Sequence, residues 1–340
     1  MRIILRADGN SDLGMGHIFR CLTLANELKD RHSNYEILFI SKYEDGQRII
    51  AEMGFGVVGT QKDEVLQIRK LAGSGTLLIT DFLDTDNFYL SRIKSATDIK
   101  IIAIDNNTRI KTIDADVVIN ANVFDEGESR IIDSTMYYLG PKYMTLRREF
   151  DAAHKAAKEI KDRVGVILIM SGGADSTKES LILNSVKTLA GARVEATIHL
   201  VVGPVFQQGH ELDRLMSKVT GRFKVYSNPQ NVTEIMRGAD MAVTAAGISL
   251  YELAACGIPC IVVPQVTRST SHQEDIAAAF DQRGACVNLG RSPSNLVLEE
   301  KTIMLMEDKS LRKRLSENAK ALVDGKGLGR ALRIIRGIMK

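Results

Sequence analysis

Twice in this chain an apolar run leads through a glycine-bearing polar turn into an amphipathic pattern, first over residues 3–25 and again over residues 164–189. In the first instance residues 3–5 read as a buried strand and residues 6–16 as the turn. Ile18, Cys21, Leu22 and Leu24 then mark the apolar side of a helix. In the second, residues 164–170 form the strand and Ser171, Gly172, Gly173, Ala174 and Asp175 the turn, with a helix from about residue 177 to residue 189. A strand followed by such a crossover returns right-handed onto a parallel neighbour. Both halves are therefore constrained to α/β architecture.

The intervening sequence keeps the same rhythm. Further strands read at 35–40, 56–58, 76–80, 101–104 and 117–119 in the first half, and at 196–202, 223–226, 241–244, 260–263 and 285–288 in the second, with helical patterns between them. Three helical stretches after Ser292 finish the chain. Around 139–163 the composition turns charged, with Arg147, Arg148, Lys155, Lys158, Lys161 and Arg163 set against Glu149, Asp151, Glu159 and Asp162; this reads as a connector with a solvated basic face. The expected organisation is a Rossmann-like domain over 1–146, a connector helix over 147–163 and a second Rossmann-like domain over 164–340. A length of 340 residues, 44% of them hydrophobic, suffices for two cores. In such folds ligands gather at the C-terminal edge of each sheet, here in the cleft between two facing edges.

Composition narrows the function. A net charge of +3 and 5% aromatic residues with no Trp give little with which to hold nucleic acid. Cys21, Cys256, Cys260 and Cys286 fall inside apolar patterns, and the nearest pair has no histidines beside it to complete a zinc site, so they read as buried free thiols. Neither a metal nor a cofactor is expected. No apolar run approaches the ~20 residues of a membrane span, and the chain opens directly on a strand without a signal peptide. A cytoplasmic protein without membrane insertion or an evident obligatory protein partner is the expectation.

The first glycine turn is the primary site candidate. Gly14 and Gly16 let the backbone turn tightly and approach a ligand, and the helix that follows presents unpaired N–H groups to an anion. His17 stands at its mouth as the candidate general base, and Asp8 on the same loop is placed to orient the ring or balance its charge. Asp81 and Asp105 with Asn106, like Asn120 with Asn122, end strands on the same sheet edge, although such residues also serve simply as caps and turn formers. In the second half, Thr244 ends a strand, Ala245, Ala246 and Gly247 make a small-residue turn, and a helix opens at Ile248 or Ser249. Its N–H groups and the Ser249 hydroxyl suit a diphosphate. Glu252, one turn in, suits the vicinal hydroxyls of a ribose, or alternatively just the positive end of the helix. Gln273, in a polar loop, is placed to close over the ligand.

Taken together these motifs resemble a known family. Arg6, Asp8, Gly14, Gly16, His17, Arg20 and the run from Cys21 to Ala25 are similar to the opening of the nucleotide-sugar hydrolases of pseudaminic acid biosynthesis, which act on UDP-2,4-diacetamido-2,4,6-trideoxy-β-L-altropyranose and are grouped with the spore-coat polysaccharide proteins called SpsG. The similarity continues through Asp105, Asn120 and Asn122, LGPKYMTLRREF at 139–150, MSGGAD at 170–175, AAGISLYE at 245–252 and GIPCIVV at 257–263. The resemblance implies a GT-B type fold of two Rossmann-like domains facing a central cleft, with the nucleotide on the C-terminal domain. It implies His17 as the base that activates water, with no metal. It also implies diphosphate contacts from Ala246, Gly247, Ile248 and Ser249, a ribose contact from Glu252, Gly172 and Gly173 beside the nucleotide, and a substrate lining that includes Arg6, Gly14, Gly16, Arg20, Asp81, Asp105 and Gln273. Ile248 and Asn106 depart from a family pattern that carries a hydroxyl residue and a carboxylate there. A glycosyltransferase on the same fold, or a nucleotide-sugar binding protein without activity, fits the same motifs.

Overall fold

A computed structural model describes the chain apart from residues 32–33, 84, 105–112, 126, 174, 176–179, 193, 220, 266–271 and 340. It divides into two compact units, the first made of Met1–Asn10, Met15–Arg147 and Lys326–Lys340, the second of Ser11–Gly14 and Arg148–Gly325. In the first unit the strands are β1 (Arg2–Ala7), β2 (Glu36–Ser41), β3 (Gly56–Gly59), β4 (Leu77–Asp81), β5 (Lys100–Ile104), β6 (Val117–Asn120), β7 (Arg130–Ile132) and β8 (Thr135–Leu139). Between them run α1 (Gly16–Arg31), α2 (Glu44–Glu52), α3 (Glu64–Leu71) and α4 (Asn87–Ala96). The sheet order is β3-β2-β1-β4-β5-β6-β8-β7. Its pairs are parallel except β7 with β8.

That antiparallel hairpin is absent from the strand pattern read in sequence. Asp133 and Ser134 both take positive φ, 47° and 71°, the geometry of a two-residue hairpin turn. The strands themselves alternate too briefly to show a period.

Strand alternation sets the unit's two faces. Ile4, Ile40, Leu78, Ile101 and Ala103 pack against Val65 and Ile68 of α3 and Leu90 and Ile93 of α4. Since Arg6 lies in register with Thr80, and Ala7 with Asp81, Arg6 and Asp81 leave neighbouring strands toward opposite faces. The expected alternation of strand and helix is thus what delivers two different polar groups to one sheet edge.

The second unit carries β9 (Val166–Met170), β10 (Thr197–Val202), β11 (Phe223–Ser227), β12 (Met241–Thr244), β13 (Cys260–Val262) and β14 (Val287–Asn288) in the order β11-β10-β9-β12-β13-β14, all parallel. Its helices are α5 (Glu149–Lys155), α6 (Leu181–Gly191), α7 (Gly209–Met216), α8 (Val232–Gly238), α9 (Ile248–Cys256), α10 (His272–Gln282), α11 (Asn295–Glu307) and α12 (Lys309–Leu322). Ile167, Ile169, Ile198, Leu200, Met241 and Val243 form one core with Leu181, Ile182 and Val186 of α6 and Leu298 and Leu305 of α11.

Two boundaries differ from the sequence expectation. The connector is helical only over α5 and turns extended at Ala156, with φ −70° and ψ 139°. The following chain is pegged instead: Lys158 Nζ donates to the carbonyls of Arg237 and Ala239 at 3.3 and 2.5 Å, and Lys161 pairs with Asp240 at 2.9 Å. Arg312, 1% exposed, donates to the Lys161 and Asp162 carbonyls at 2.8 and 3.1 Å and to the Leu305 carbonyl at 2.9 Å. Lys158, read as part of a solvated face, therefore satisfies backbone carbonyls, and Lys161 a buried carboxylate.

The second boundary is at the C-terminus. α13 (Gly327–Ile338) groups with the first unit rather than the second. A methyl group on Gly327 would lie 2.0 Å from the Met144 carbonyl oxygen, so only glycine lets the helix start this close. Gly329, in the same helix, meets nothing nearer than 3.9 Å. Gly327→Ala should accordingly destabilise the fold by about 1–3 kcal/mol, the usual cost of overpacking. Gly329→Ala should be neutral or stabilising by up to ~1 kcal/mol. Urea denaturation of the two variants side by side checks both signs.

Candidate functional site

His17 is the second residue of α1, and Arg20 and Cys21 follow it near one turn later. Residues three and four apart share a helix face, and all three side chains converge on Asp81 at the end of β4. His17 Nδ1 lies 2.7 Å from Asp81 Oδ1. Arg20 Nε and Nη2 reach Oδ2 and Oδ1 at 2.6 and 2.5 Å, and Cys21 Sγ is 3.7 Å from Oδ2. Asp81 is wholly buried, whereas the His17 side chain keeps 12% of its surface exposed. Burial by itself would push the Asp81 carboxyl up, but the Arg20 charge, its hydrogen bonds and then His17 overcome this and hold it at about 2.

That charge state settles the ring. An ionised carboxylate only accepts hydrogen bonds, so Nδ1 carries a proton, and in the neutral form of the ring the lone pair lies on Nε2. The 3.4 Å approach of Arg20 Nη2 to Nδ1 is then two donors sharing one acceptor. A base whose far nitrogen is fixed by a carboxylate is the arrangement general-base catalysis requires.

Asp8 does not take this part. It lies 2.6 Å from Arg6 Nη1 and accepts the Lys42 amide at 2.7 Å. Arg6, 3% exposed, also holds Glu64 at 2.6 Å and stacks over Phe82 with its guanidinium carbon 4.1 Å from the ring centroid, and the Tyr89 hydroxyl donates to the same Glu64 oxygen. Arg6 and Asp8 thus belong to an ionic cluster on the face of the sheet opposite to Asp81. Arg20, 5% exposed, is likewise committed to Asp81. The partner of His17 was missed because Asp81 lies far away in sequence and only the β1–β4 pairing brings it to α1. Gly14 takes φ +78° and Gly16 opens α1, as their place in the turn requires. Asp105 lies outside the described residues. Asn120 Nδ2 donates to Asp125 and Asn120 Oδ1 accepts the Asn122 amide, which is the turn-forming alternative.

The second unit also offers two helix N-termini after glycine-bearing turns, and they differ. At α6 the Asp175 carboxylate accepts the Leu181 and Ile182 amides, both at 3.1 Å, together with the Ser180 hydroxyl, while Ser180 Oγ accepts the Leu183 amide at 3.0 Å. An internal anion already fills that terminus. At α9 the N-cap is Gly247 and no side chain caps the helix. Ala246 is buried and Ser249 is 6% exposed, with Gly247 and Ile248 half-buried before it and Glu252 half-buried one turn in. Gly172, at φ +91°, would place a methyl group 3.2 Å from Ser249 Oγ, so the two turns lie side by side. Gln273, expected to close over a ligand, accepts the Ala246 and Gln265 amides at 3.2 and 2.8 Å and so braces the turn itself. Gln273 stands in the first turn of α10 rather than in a loop, and residues 266–271 ahead of it lie outside the described residues.

One further residue supports this corner. A methyl group on Gly203, just after β10, would sit 2.4 Å from the carbonyl oxygens of both Gly172 and Gly173. In sequence its only signal is a Gly-Pro pair closing a strand.

Comparison with known proteins places this geometry. The Glycosyltransferase family 28 C-terminal domain matches residues 166–330. The spore coat polysaccharide biosynthesis protein SpsG of Bacillus subtilis is 30% identical over 352 residues, covering 99% of this chain and 98% of SpsG. The chain belongs to the SpsG/PseG family. Within that family, a UDP-2,4-diacetamido-2,4,6-trideoxy-β-L-altropyranose hydrolase of Campylobacter jejuni is 22% identical, covering 74% of this chain and 87% of the hydrolase. Protein MJ1062 of Methanocaldococcus jannaschii is 32% identical over 78% of this chain, which spans 56% of that relative's length. MurG of Acinetobacter baumannii has the same fold, with a TM-score of 0.64 at 15% identity over 99% of each chain. The SpsG/PseG chain is thus a GT-B fold enzyme of the nucleotide-sugar-using kind. No helix among its described residues is long and apolar enough to cross a membrane.

The Asp81 pair has a pH signature. Its folded-state value lies below the ordinary 3.8, so its stabilisation is complete above that value and is lost as the pH falls toward about 2. Asp81→Asn removes a buried counter-charge from Arg20 and should cost about 3–5 kcal/mol near neutrality. The gap to wild type should narrow as the pH drops from 5 to 2.5, which urea midpoints at each pH would record.

Proposed function

We propose that the protein hydrolyses a UDP-linked diacetamido-trideoxy sugar, releasing UDP, in the biosynthesis of a pseudaminic-type acid or a surface polysaccharide. The observation that carries this reading is the His17–Asp81 pair, a ring held with Nδ1 on a buried carboxylate and its lone pair on Nε2. Water attacks the anomeric carbon, its proton passes to His17 Nε2, and the bond from that carbon to the diphosphate oxygen breaks with its electron pair leaving on UDP. General-base help of this kind contributes about 10²- to 10⁴-fold.

On the nucleotide side, the uncapped start of α9 supports a diphosphate contact through Gly247, Ile248 and Ser249, with Gly172 and Gly173 beside it. Glu252 takes the ribose hydroxyls. The Asp175 cap argues against α6 for this role. The Campylobacter jejuni relative, named as a hydrolase of such a UDP-sugar, supports the substrate class. The match to a glycosyltransferase family 28 domain favours a second reading, in which the same ring deprotonates an acceptor hydroxyl instead of water.

Purified protein should release UDP from the diacetamido sugar nucleotide without an added acceptor and in the presence of EDTA. His17→Ala should lower that rate by at least about 10²-fold while UDP binding, measured calorimetrically, stays unchanged. UDP release only after an acceptor is added would favour the transferase. Gly203→Ala, which must displace the Gly172–Gly173 turn, should instead weaken UDP binding by about tenfold, ~1.4 kcal/mol.

A further inference from the structure

We propose that Arg20 is a positioning residue: by forking onto Asp81 it supplies the counter-charge and the orientation that keep His17 a neutral ring with its lone pair on Nε2. This rests on the reading of His17 as the base and assigns Arg20 a part other than substrate contact. Its two nitrogens meet the two Asp81 oxygens at 2.6 and 2.5 Å, which fixes the carboxylate plane and aims Oδ1 at His17 Nδ1, 2.7 Å away. The charged and titratable groups described against Asp81 are His17, Arg20 and Cys21, all from α1, while β1 opposes it with Ala7.

Charge must balance in a dry place. Asp81 is wholly buried and Arg20 only 5% exposed. Arg20 sets its charge directly beside that of Asp81, so the carboxylate draws less of its compensation from the imidazole. Without it, the buried carboxylate draws its compensation from His17, whose ring becomes cationic, or takes up a proton itself. In the first case the Nε2 lone pair is lost. In the second, a protonated carboxyl donates as well as accepts, and the ring is no longer held to one tautomer. A lysine at this place keeps the charge but not the two-point fork.

The test uses the full-length protein with ¹⁵N-labelled histidine, reading the His17 ring nitrogens by two-bond correlation, alongside turnover of the UDP-sugar. Wild type should show Nδ1 protonated and Nε2 bare. Arg20→Met should lose that pattern to a cationic or mixed ring, with kcat down about 10- to 100-fold and the KM for the UDP-sugar within twofold of wild type. Arg20→Lys should restore part of both. A wild-type ring pattern in Arg20→Met would overturn the proposal, and so would a raised KM with kcat unchanged, the mark of a substrate ligand. Should Arg20→Met fail to fold, a wild-type nitrogen pattern with full kcat in Arg20→Lys, whose ammonium cannot fork, refutes the proposal. If wild type hydrolyses no UDP-sugar, the hydrolase reading falls alone, because the nitrogen pattern still reports what Arg20 does to the ring.

Discussion

A carboxylate with no access to water must be compensated from its surroundings, and at Asp81 everything near the proposed chemistry is arranged around that requirement. The desolvation of the group acts against its charge, while Arg20 and His17, from one face of α1, act for it. The result is a single acceptor that dictates the hydrogen bonding of three donors, His17, Arg20 and Cys21. A helix that must present these residues to the end of β4 has little freedom in where it starts, which is the structural reason for a left-handed Gly14 just ahead of it.

The opposite face of the same sheet solves a similar problem differently. There the buried cation, Arg6, is satisfied by two carboxylates, an aromatic ring and the order they impose on the β2–α2 loop through Lys42. Two ion clusters a single residue step apart, one holding His17 and one holding Arg6, illustrate how strand alternation sends neighbouring polar groups to different faces of a sheet. The second unit applies the same economy to helix ends, with one N-terminus closed by Asp175 and another left without a side-chain cap at Gly247.

Much of this was legible in the residues. The parallel α/β pattern, the strand positions and the opening of α9 at Ile248 follow from hydrophobic period and small-residue turns, because these are local signals. His17 stood out for the same reason. Its partner did not, since Asp8 on the same loop is the nearer carboxylate in sequence while strand order delivers Asp81. The resemblance implies Arg6, Arg20 and Gln273 as substrate contacts, and the structure shows Arg6 and Arg20 each holding a carboxylate and the Gln273 side-chain oxygen accepting backbone amides. The β7–β8 hairpin was too short to carry a period, and the packing of α13 depends on a carbonyl contact at Gly327 that no local pattern announces.

The grouping of α13 with the first unit makes that unit discontinuous along the chain. During synthesis its sheet emerges first, but the helix that Gly327 seats against Met144 emerges only after the whole second unit. The nascent first unit must therefore wait for a distant stretch of chain before α13 can pack onto it.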